Sequence, residues 1–369
     1  MNVSVAPKSI DKTRAKTLIV DCDIHPTLKS PNDIRSRLPR RWQDHFDEYG
    51  SYLRQAFTGT QIYLRMQPMT SREDAWPPNG GVPGSDLDFM RAQHLDANNI
   101  EYGILQPITP AGFDQRNLGY GAAMCSAIND WQAECWLDHE PRLRGNITVA
   151  QEDPATAIKE IERCASDRRF VQVTFGALAL EPVGRSRYWP IFEMAERAGL
   201  PVAFHTGGVN GLPPSGVGWV SHYFEHHFSQ VPAQASQLVS LVLEGVFEKF
   251  PKLRVVMVEG GFGWVPSLCW RLDQHWERLK SEVPHLTKPP SHYIKEQVWF
   301  TTQPVEEPTR PGDLRRLLEQ VGYDRLLFST DYPHHDSDDP NYAFRTKLSD
   351  EEKQMIFRTN AINLYRLQS

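Results

Sequence analysis

The chain has 369 residues, of which 40% are hydrophobic and 23% are charged, and its formal net charge is −6. This balance is typical of a globular protein and offers no basic surface for nucleic acid or an anionic membrane. No apolar run is long enough to cross a bilayer, and residues 1–16 lack the apolar core of a secretory signal. The five cysteines form no CxxC pair, which is typical of reduced thiols. We therefore expect a cytoplasmic protein with a small-molecule substrate and without nucleic-acid or membrane partners.

The first predicted strand begins as an apolar run, residues 18–20, and continues into polar residues before a proline. Because side chains alternate across a strand, Asp21, Asp23 and His25 are predicted to share one face. Burying two acids and an imidazole without an opposing charge is costly, and a divalent cation would supply that charge. A hydrogen-bonded acid–histidine pair, or an exposed turn before Pro26, would explain the same residues. The stretch alone indicates a metal site only weakly.

Residues 31–84 interrupt the alternation of strands and helices. The segment is rich in proline and aromatic residues, including Trp42 and Trp76, and short helices are predicted near 31–56. A long segment of this kind inside a compact chain is usually functional. We interpret it as an insertion after strand one that forms a lid or a subunit contact. Its aromatic residues, together with Trp136, indicate a homo- or hetero-oligomer.

From residue 85 onward, helices and strands alternate regularly. Helices are predicted at 86–98, 118–139, 154–166, 190–198, 232–250 and 350–367, and strands at 102–107, 143–150, 170–175, 201–205, 253–259, 298–302 and 326–330. Eight strands that alternate with helices predict a (β/α)8 barrel, or TIM barrel. We therefore expect one domain, 1–369, with a barrel core at 17–366.

Polar residues recur at the C-terminal ends of these strands, where barrel enzymes place their catalytic groups. They are Asp23 and His25 on strand one, His205 on strand five, Glu259 on strand six and Asp331 after strand eight. Imidazole and carboxylate are ligands typical of zinc, manganese and iron(II). Each residue alone could be a cap or a hydrogen-bonded core group. At one end of one barrel they favour a catalytic metal site with water in an open position.

Further histidines lie at 222–227. If this segment is helical, His222 and His226 stand one turn apart, a spacing that metal ligands use. A polar rim over the pocket, which hydrogen-bonds substrate or backbone, is the favoured interpretation. In the alternative, Glu259 and a histidine of this group, such as His227, hold a second metal.

Two more histidines, His334 and His335, follow Asp331 on the same loop. We interpret them as rim residues that contact substrate. A solvated turn would explain them equally simply.

Several segments in combination make the chain recognisable. They are residues 20–25 (VDCDIH), 204–208 (FHTGG), 251–266 (PKLRVVMVEGGFGWVP), 271–273 (RLD) and 329–334 (STDYPH). Over about residues 17–366 the chain resembles the amidohydrolase-related branch of the amidohydrolase superfamily. That branch includes aminocarboxymuconate-semialdehyde decarboxylase, the resorcylate and carboxyvanillate decarboxylases, and various hydrolases. The resemblance implies metal ligands at Asp23, His25, His205 and Asp331, with Asp331 also able to act as the base for metal-bound water.

The chain departs from the family pattern at three places. Asp23 stands where the pattern has the first histidine of a His-x-His pair, and this harder ligand favours manganese or iron as readily as zinc. The fourth strand has Gln172 and Thr174 and no lysine that could be carbamylated to bridge two metals. Strand six ends in Glu259, where several decarboxylases have a histidine linked to proton or water handling. This last change argues against a direct transfer of the decarboxylase mechanism.

We therefore predict a metal-dependent hydrolase that acts on a small amide, lactone or carboxylate through a metal-activated water. Asp331 would take the proton of the water and return it to the leaving group, Glu259 would position substrate or water, and His205 would hold the metal. The required cofactor is a divalent zinc, manganese or iron ion, with residues available for a second. Three alternatives stay open: a non-oxidative decarboxylase of a small aromatic or unsaturated acid, a two-metal oxygenase, and a non-catalytic partner subunit of a hetero-oligomer.

Overall fold

The computed structural model describes residues 17–50, 70–108, 111–209 and 212–368. Eight parallel strands form one sheet in sequence order. They are β1 (Ile19–Ile24), β2 (Ile100–Leu105), β3 (Leu143–Thr148), β4 (Phe170–Leu178), β5 (Val202–Gly208), β6 (Val255–Met257), β7 (Val298–Thr301) and β8 (Leu326–Leu327). With helices between these strands, the predicted (β/α)8 barrel is confirmed. β5 is longer than predicted, whereas β6 and β8 end before the polar residues assigned to their ends.

Helices connect the strands and pack around them. They are α1 (Asn32–Arg35), α2 (Arg40–Tyr49), α3 (Leu87–Met90), α4 (Leu118–Gln132), α5 (Pro154–Cys164), α6 (Trp189–Ala198), α7 (Tyr223–Leu243), α8 (Val246–Lys249), α9 (Val265–Leu279), α10 (Pro290–Gln297), α11 (Pro311–Val321), α12 (Asp350–Gln354) and α13 (Asn360–Tyr365). Wider π-helical turns at Arg91–Asp96, Ala133–Leu137 and Met355–Thr359 extend α3, α4 and α12. Asp86, Asn117 and Asp153 cap α3, α4 and α5 through their side chains. Within the described ranges, no helix combines the length and apolar character that a membrane span needs.

The largest difference from the predicted elements concerns the helix expected at 232–250. α7 begins earlier, at Tyr223, and Pro232 lies inside it. At its start, the Glu225 side chain accepts the backbone N–H of His222 at 2.8 Å, which satisfies a donor that has no partner within the helix. The prediction was wrong because proline is common in the first helical turn, so the pattern favoured a start at Pro232.

β1 and β8 meet through individual hydrogen bonds that close the barrel. The N–H of Cys22 donates to the carbonyl oxygen of Phe328 at 2.9 Å, and the N–H of His25 donates to the carbonyl oxygen of Tyr332 at 2.8 Å. The loop that follows β8 is therefore held against the end of β1, where Asp23 and His25 lie.

An apolar cluster of buried strand residues contacts the C-terminal helix. Val20 of β1 and Ile104 of β2 belong to a buried cluster that includes Leu364 of α13. The hydroxyl of Tyr365 donates to Gln172 Oε1 at 2.8 Å. Gln172, on the strand where a bridging lysine is absent, therefore has a structural hydrogen bond.

The described parts of the predicted insertion contact the barrel mouth. The carbonyl oxygen of Thr70 accepts the N–H of His335 at 2.7 Å, and the carbonyl oxygen of Gly84 accepts the N–H of Thr27 at 2.8 Å. Residues 51–69 lie outside the described residues. The interpretation of the whole insertion as a lid or subunit contact stays a prediction.

Candidate metal centre

The strand-end residues meet at the C-terminal end of the barrel. Asp23 lies in β1, His25 directly follows it, and His205 lies in β5. Glu259 and Asp331 follow β6 and β8 with positive φ angles of 55° and 62°. A left-handed backbone at a residue other than glycine costs on the order of 1–3 kcal/mol and occurs mainly at functional sites. The two carboxylates are therefore placed by backbone turns that the strand pattern does not reveal.

Asp23, His25, His205 and Glu259 form the first cluster, in which one potential ligand atom of each residue lies within 4.8 Å of the others. His205 Nε2 is 3.2 Å from Glu259 Oε2 and 3.7 Å from Asp23 Oδ2. His25 Nε2 is 3.4 Å from Asp23 Oδ1. Atoms that share one cation through bonds of about 2.0–2.2 Å are separated by distances of this size.

The cluster contains buried polar atoms without hydrogen bonds. Both carboxylate oxygens of Asp23 and Nε2 of His205 are buried and have no hydrogen-bond partner among the described residues. Such atoms are rare because leaving them unpaired costs about 1–3 kcal/mol each. A divalent cation would satisfy them, so the residues present fit a metal ion.

Backbone carbonyl groups orient the two imidazole rings. His25 Nδ1 lies 2.8 Å from the carbonyl oxygen of Gln106, and His205 Nδ1 lies 3.0 Å from that of Thr206. A proton on Nδ1 that is donated to a carbonyl leaves the lone pair of Nε2 directed into the cluster. This is the tautomer that a metal ligand needs.

Asp331 belongs to an adjacent cluster with His25 and His334. Its Oδ1 lies 2.7 Å from His25 Nε2 and 2.6 Å from His334 Nδ1, and Gln303 Nε2 donates to its Oδ2 at 3.2 Å. His334, predicted at the rim, is 7% exposed, and its ring stacks on that of His25. The prediction of a rim position for His334 is therefore wrong, because the turn after β8 folds it inward.

The carboxylates favour the protonated form of both cluster histidines. Burial disfavours the charged ring of His25, but Asp23 and Asp331 outweigh this effect and raise its pKa to about 10. For His205 burial again opposes the charge, and the nearby Asp23 carboxylate still raises the pKa. A bound dication would take the place of these protons as the balancing charge.

The two carboxylates that follow β6 and β8 differ in acidity. Burial alone would raise the pKa of Asp331, but His334 and His25 hold it below its ordinary value. Burial, followed by the negative charge of Asp331, raises the pKa of Glu259. Glu259 is also hydrogen-bonded, because Thr206 donates its hydroxyl to Glu259 Oε2 at 2.8 Å.

The histidines at 222–227 do not act as one group. His222 precedes α7, and its side chain is 77% exposed and 3.1 Å from Glu225, so His222 and His226 do not share a helix face. His227 faces the site instead, and its Nε2 lies 3.9 Å from Glu259 Oε1.

Two further groups lie beside His227. Its Nε2 is 3.1 Å from Asp336 Oδ2. His335 has a side chain that is 43% exposed, and its Nε2 lies 2.9 Å from the Tyr223 hydroxyl. These contacts join polar groups of α7 to the loop after β8 beside the metal cluster.

Asp21 does not share a face with Asp23 and His25, contrary to the prediction. Its Oδ2 lies 2.7 Å from Nε2 of His94 in the π-helical turn after α3. The register of β1 against β2 shifts between Asp21 and Ile24, which breaks the alternation of side chains. The first acid of the pattern is therefore turned away from the metal cluster.

The sequence pattern missed Gln303 and His94. Gln303 directly follows the predicted seventh strand, and a polar residue at that place was the available signal. An amide is not a usual metal ligand, so a search for ligand types at strand ends passes over Gln303. His94 lies in a predicted amphipathic helix, where nothing local distinguishes it from a core residue.

Comparison with known proteins supports these observations. The amidohydrolase family profile matches residues 20–367. The chain belongs to the amidohydrolase family. Gamma-resorcylate decarboxylase from Polaromonas sp. is 26% identical over 294 residues, which are 76% of this chain and 88% of that protein.

Solved structures show the same fold at lower identity. Dihydroxybenzoic acid decarboxylase from Polaromonas sp., with bound manganese, has a TM-score of 0.67 at 22% identity, over 95% of this chain and 97% of that chain. 5-Carboxyvanillate decarboxylase from Novosphingobium aromaticivorans, complexed with manganese, has a TM-score of 0.71 at 19% identity, over 95% of this chain and 96% of that chain.

These relatives correct the predicted activity. The chain is an enzyme of the amidohydrolase-related branch, and its described residues include a possible divalent-metal site, as the sequence predicted. The main prediction, hydrolysis by a metal-activated water, is wrong, because the relatives are decarboxylases. Glu259 is the residue at which the sequence pattern is misleading, because it replaces the histidine of several decarboxylases and so argues against that chemistry.

Proposed function

We propose that this enzyme catalyses the metal-dependent, non-oxidative decarboxylation of a small aromatic acid with a hydroxyl group ortho to the carboxylate. The observation that carries the proposal is the buried set of unpaired Asp23 and His205 atoms at the barrel mouth, in a chain similar to gamma-resorcylate decarboxylases. The substrates named for the relatives, 2,6-dihydroxybenzoate and 5-carboxyvanillate, both have such a hydroxyl group.

The reaction breaks the bond between the ring and the carboxylate carbon. The electron pair stays on the ring carbon, which takes up a proton, and carbon dioxide leaves. No oxidant or reductant is consumed. A divalent cation bound by Asp23, His25 and His205, with Asp331 or Glu259, would supply a Lewis acid for the negatively charged substrate oxygens.

Manganese is the metal that we propose. Carboxylate oxygens form a large share of the candidate ligands, and oxygen ligands suit manganese. Two structural neighbours contain manganese. Zinc and iron are the alternatives that metal analysis would distinguish.

Asp331 is the residue that we propose carries the proton to the ring carbon. Its Oδ1 contacts His25 and His334, and its Oδ2 accepts from Gln303. These three contacts hold the carboxylate in one orientation, which proton transfer requires. His334, whose Nδ1 lies 2.6 Å from Asp331 Oδ1, is positioned to resupply the proton.

A second cation is a separate proposal, which the two oxygens of Glu259 favour. Oε2 lies 3.2 Å from His205 Nε2 in the first cluster, whereas Oε1 lies 3.9 Å from His227 Nε2. His227 Nε2 is in turn 3.1 Å from Asp336 Oδ2. A second ion held by Glu259 and His227 would be detected by metal analysis as two ions per chain.

The test uses protein purified without added metal and then loaded with Mn²⁺. Acids labelled with ¹³C at the carboxylate, with and without an ortho hydroxyl group, are supplied, and labelled carbon dioxide is measured. We expect release from ortho-hydroxybenzoates only, loss of release with a chelator and in His205→Ala, and normal release in the surface control His275→Ala. Fully metal-loaded protein that releases no carbon dioxide from any of these acids would overturn the proposal.

A further inference from the structure

Asp21 is a fully buried carboxylate that the proposed chemistry does not use. Its Oδ1 accepts the backbone N–H of Thr330 at 2.9 Å. Its Oδ2 accepts the Thr330 hydroxyl at 2.6 Å and lies 2.7 Å from His94 Nε2. Both oxygens are therefore occupied by protein donors, which excludes a direct role for Asp21 as a metal ligand in this arrangement.

We propose that Asp21, His94 and Thr330 form a positioning clamp, here called the Asp21 clamp, that sets the orientation of the Asp331 carboxylate. The inference rests on the proposed function, in which Asp331 carries a proton. It assigns no contact with substrate to any clamp residue. The three residues act through the backbone turn that follows β8.

The clamp holds both sides of the Asp331 turn. Thr330 immediately precedes Asp331, and its hydroxyl oxygen also accepts the N–H of Tyr332 at 3.2 Å. The N–H of Asp331 donates to the carbonyl oxygen of Asp23 at 3.1 Å. With φ of 62°, Asp331 has a backbone conformation that ordinary residues avoid. Hydrogen bonds from neighbouring parts of the protein are needed to hold a backbone turn in such a conformation.

His94 extends the clamp to the residue after Asp331. Its ring stacks on that of Tyr332, with centroids 4.5 Å apart and planes 13° apart. The Tyr332 hydroxyl donates to Gln93 Oε1 at 3.0 Å, and Asn98 Nδ2 lies 3.2 Å from His94 Nδ1. The π-helical turn therefore contacts both neighbours of Asp331, Tyr332 directly and Thr330 through Asp21.

The negative charge of Asp21 explains how the clamp fixes the direction of the peptide that leads into Asp331. A carboxylate accepts hydrogen bonds more strongly than a neutral group does, and two of the bonds go to a single residue, Thr330. Together they define the direction of the peptide that leads into Asp331. Loss of one bond would let that peptide rotate, and displacements of about 1 Å at a reacting group can cost roughly 10²-fold in rate.

The experiment compares isosteric and conservative variants of the manganese-loaded full chain. Thr330→Val removes the hydroxyl and keeps the shape, whereas Thr330→Ser keeps the hydroxyl. Thr148→Val is the matched control, because the Thr148 hydroxyl donates to buried Asn129 Oδ1 at 3.1 Å away from the site. The measurements are kcat, KM, melting temperature and the Co²⁺ d–d absorption spectrum of cobalt-loaded protein.

We expect Thr330→Val to lose about 10–100-fold in kcat, the usual effect of removing an outer hydrogen bond at a metal site, with KM little changed. The absorption spectrum of its cobalt-loaded form should shift, because the Asp331 carboxylate beside the Co²⁺ ion moves. Thr330→Ser should restore both values. Thr148→Val should lower the melting temperature comparably and leave kcat and the spectrum unchanged.

A second variant covers the case in which Thr330→Val does not fold. His94→Phe removes the donor to Asp21 and keeps a ring against Tyr332, whereas His94→Gln keeps a donor. Variants that lose stability but match wild type in kcat and cobalt spectrum would overturn the clamp. If wild type releases no carbon dioxide, the proposed function fails, and the cobalt spectra still decide whether the clamp positions Asp331.

Discussion

At the residue scale, two carboxylates at the barrel mouth have opposite environments. His25 and His334 lower the pKa of Asp331, whereas burial and the charge of Asp331 raise that of Glu259. Pairs of titratable groups whose pKa values diverge in this way are typical of acid–base sites. The geometry favours Asp331 for proton transfer, because its Oδ1 lies 2.7 Å from His25 Nε2 and 2.6 Å from His334 Nδ1.

We predict that Asp331→Asn keeps most of the bound metal but lowers kcat by about 10²–10⁴-fold, the loss expected when a general acid or base is removed. The amide keeps one coordinating oxygen and the shape of the side chain. The measurement is metal content and kcat beside wild type.

Glu259→Gln is the matched control for this prediction. We expect a smaller loss of kcat, because the amide oxygen can still accept the Thr206 hydroxyl. A dead Glu259→Gln variant beside an Asp331→Asn variant of nearly normal kcat would reverse the two roles.

At the element scale, the loop after β6 depends on its glycines. Gly261 has a φ of 62°, and an added Cβ would overlap the Glu306 carboxylate. That carboxylate accepts the N–H of Gly263 at 2.7 Å and of Phe262 at 3.2 Å. Glu306, from the loop after β7, therefore holds the loop that begins at Glu259.

We predict that Gly261→Ala destabilises the protein by about 1–3 kcal/mol, from the left-handed backbone and the displaced Glu306, and lowers kcat through Glu259. Gly312→Ala is the control, because Gly312 lies in α11 with open space around its Cβ position and should be neutral or slightly stabilised. Denaturant melts and kcat test both variants. Equal stability of the two would contradict this account of the loop.

At the scale of the whole molecule, large apolar side chains are exposed around the start of α7. Val217 is 90%, Trp219 64%, Phe224 85% and Phe228 68% exposed. Phe224 and Phe228 lie one helical turn apart and so share a face. Aromatic side chains can bury about 150–250 Å² each, a large part of the roughly 800 Å² that each partner buries in a stable interface.

We predict that a second copy of the chain covers this surface. The double variant Phe224→Asp, Phe228→Asp should lower the mass measured by light scattering from that of an oligomer to that of one chain. Tyr342→Asp, at a side chain that is 79% exposed elsewhere, should leave the mass unchanged. A wild-type protein that is monomeric at micromolar concentration would contradict the prediction.

Local patterns in the sequence were sufficient to predict the barrel and the candidate residues at its mouth. Strand and helix periodicity are local properties, and so are polar side chains at strand ends, which is why Asp23, His25 and His205 could be selected without a structure. Composition likewise excluded a basic nucleic-acid surface. The activity was harder to predict from the sequence. Hydrolysis and decarboxylation can use the same metal ligands, and they differ in the atom to which a proton is delivered.

Which of these side chains meet depends on how the whole chain folds. Asp21 and Asp23 have the same strand pattern, yet a register shift turns Asp21 toward His94. The hydrogen bonds between Asp21 and Thr330 join the two ends of the chain where the barrel closes. Such contacts depend on strand register and on left-handed turns such as that at Asp331. These are set by packing across the whole barrel, so no local pattern in the sequence could specify them.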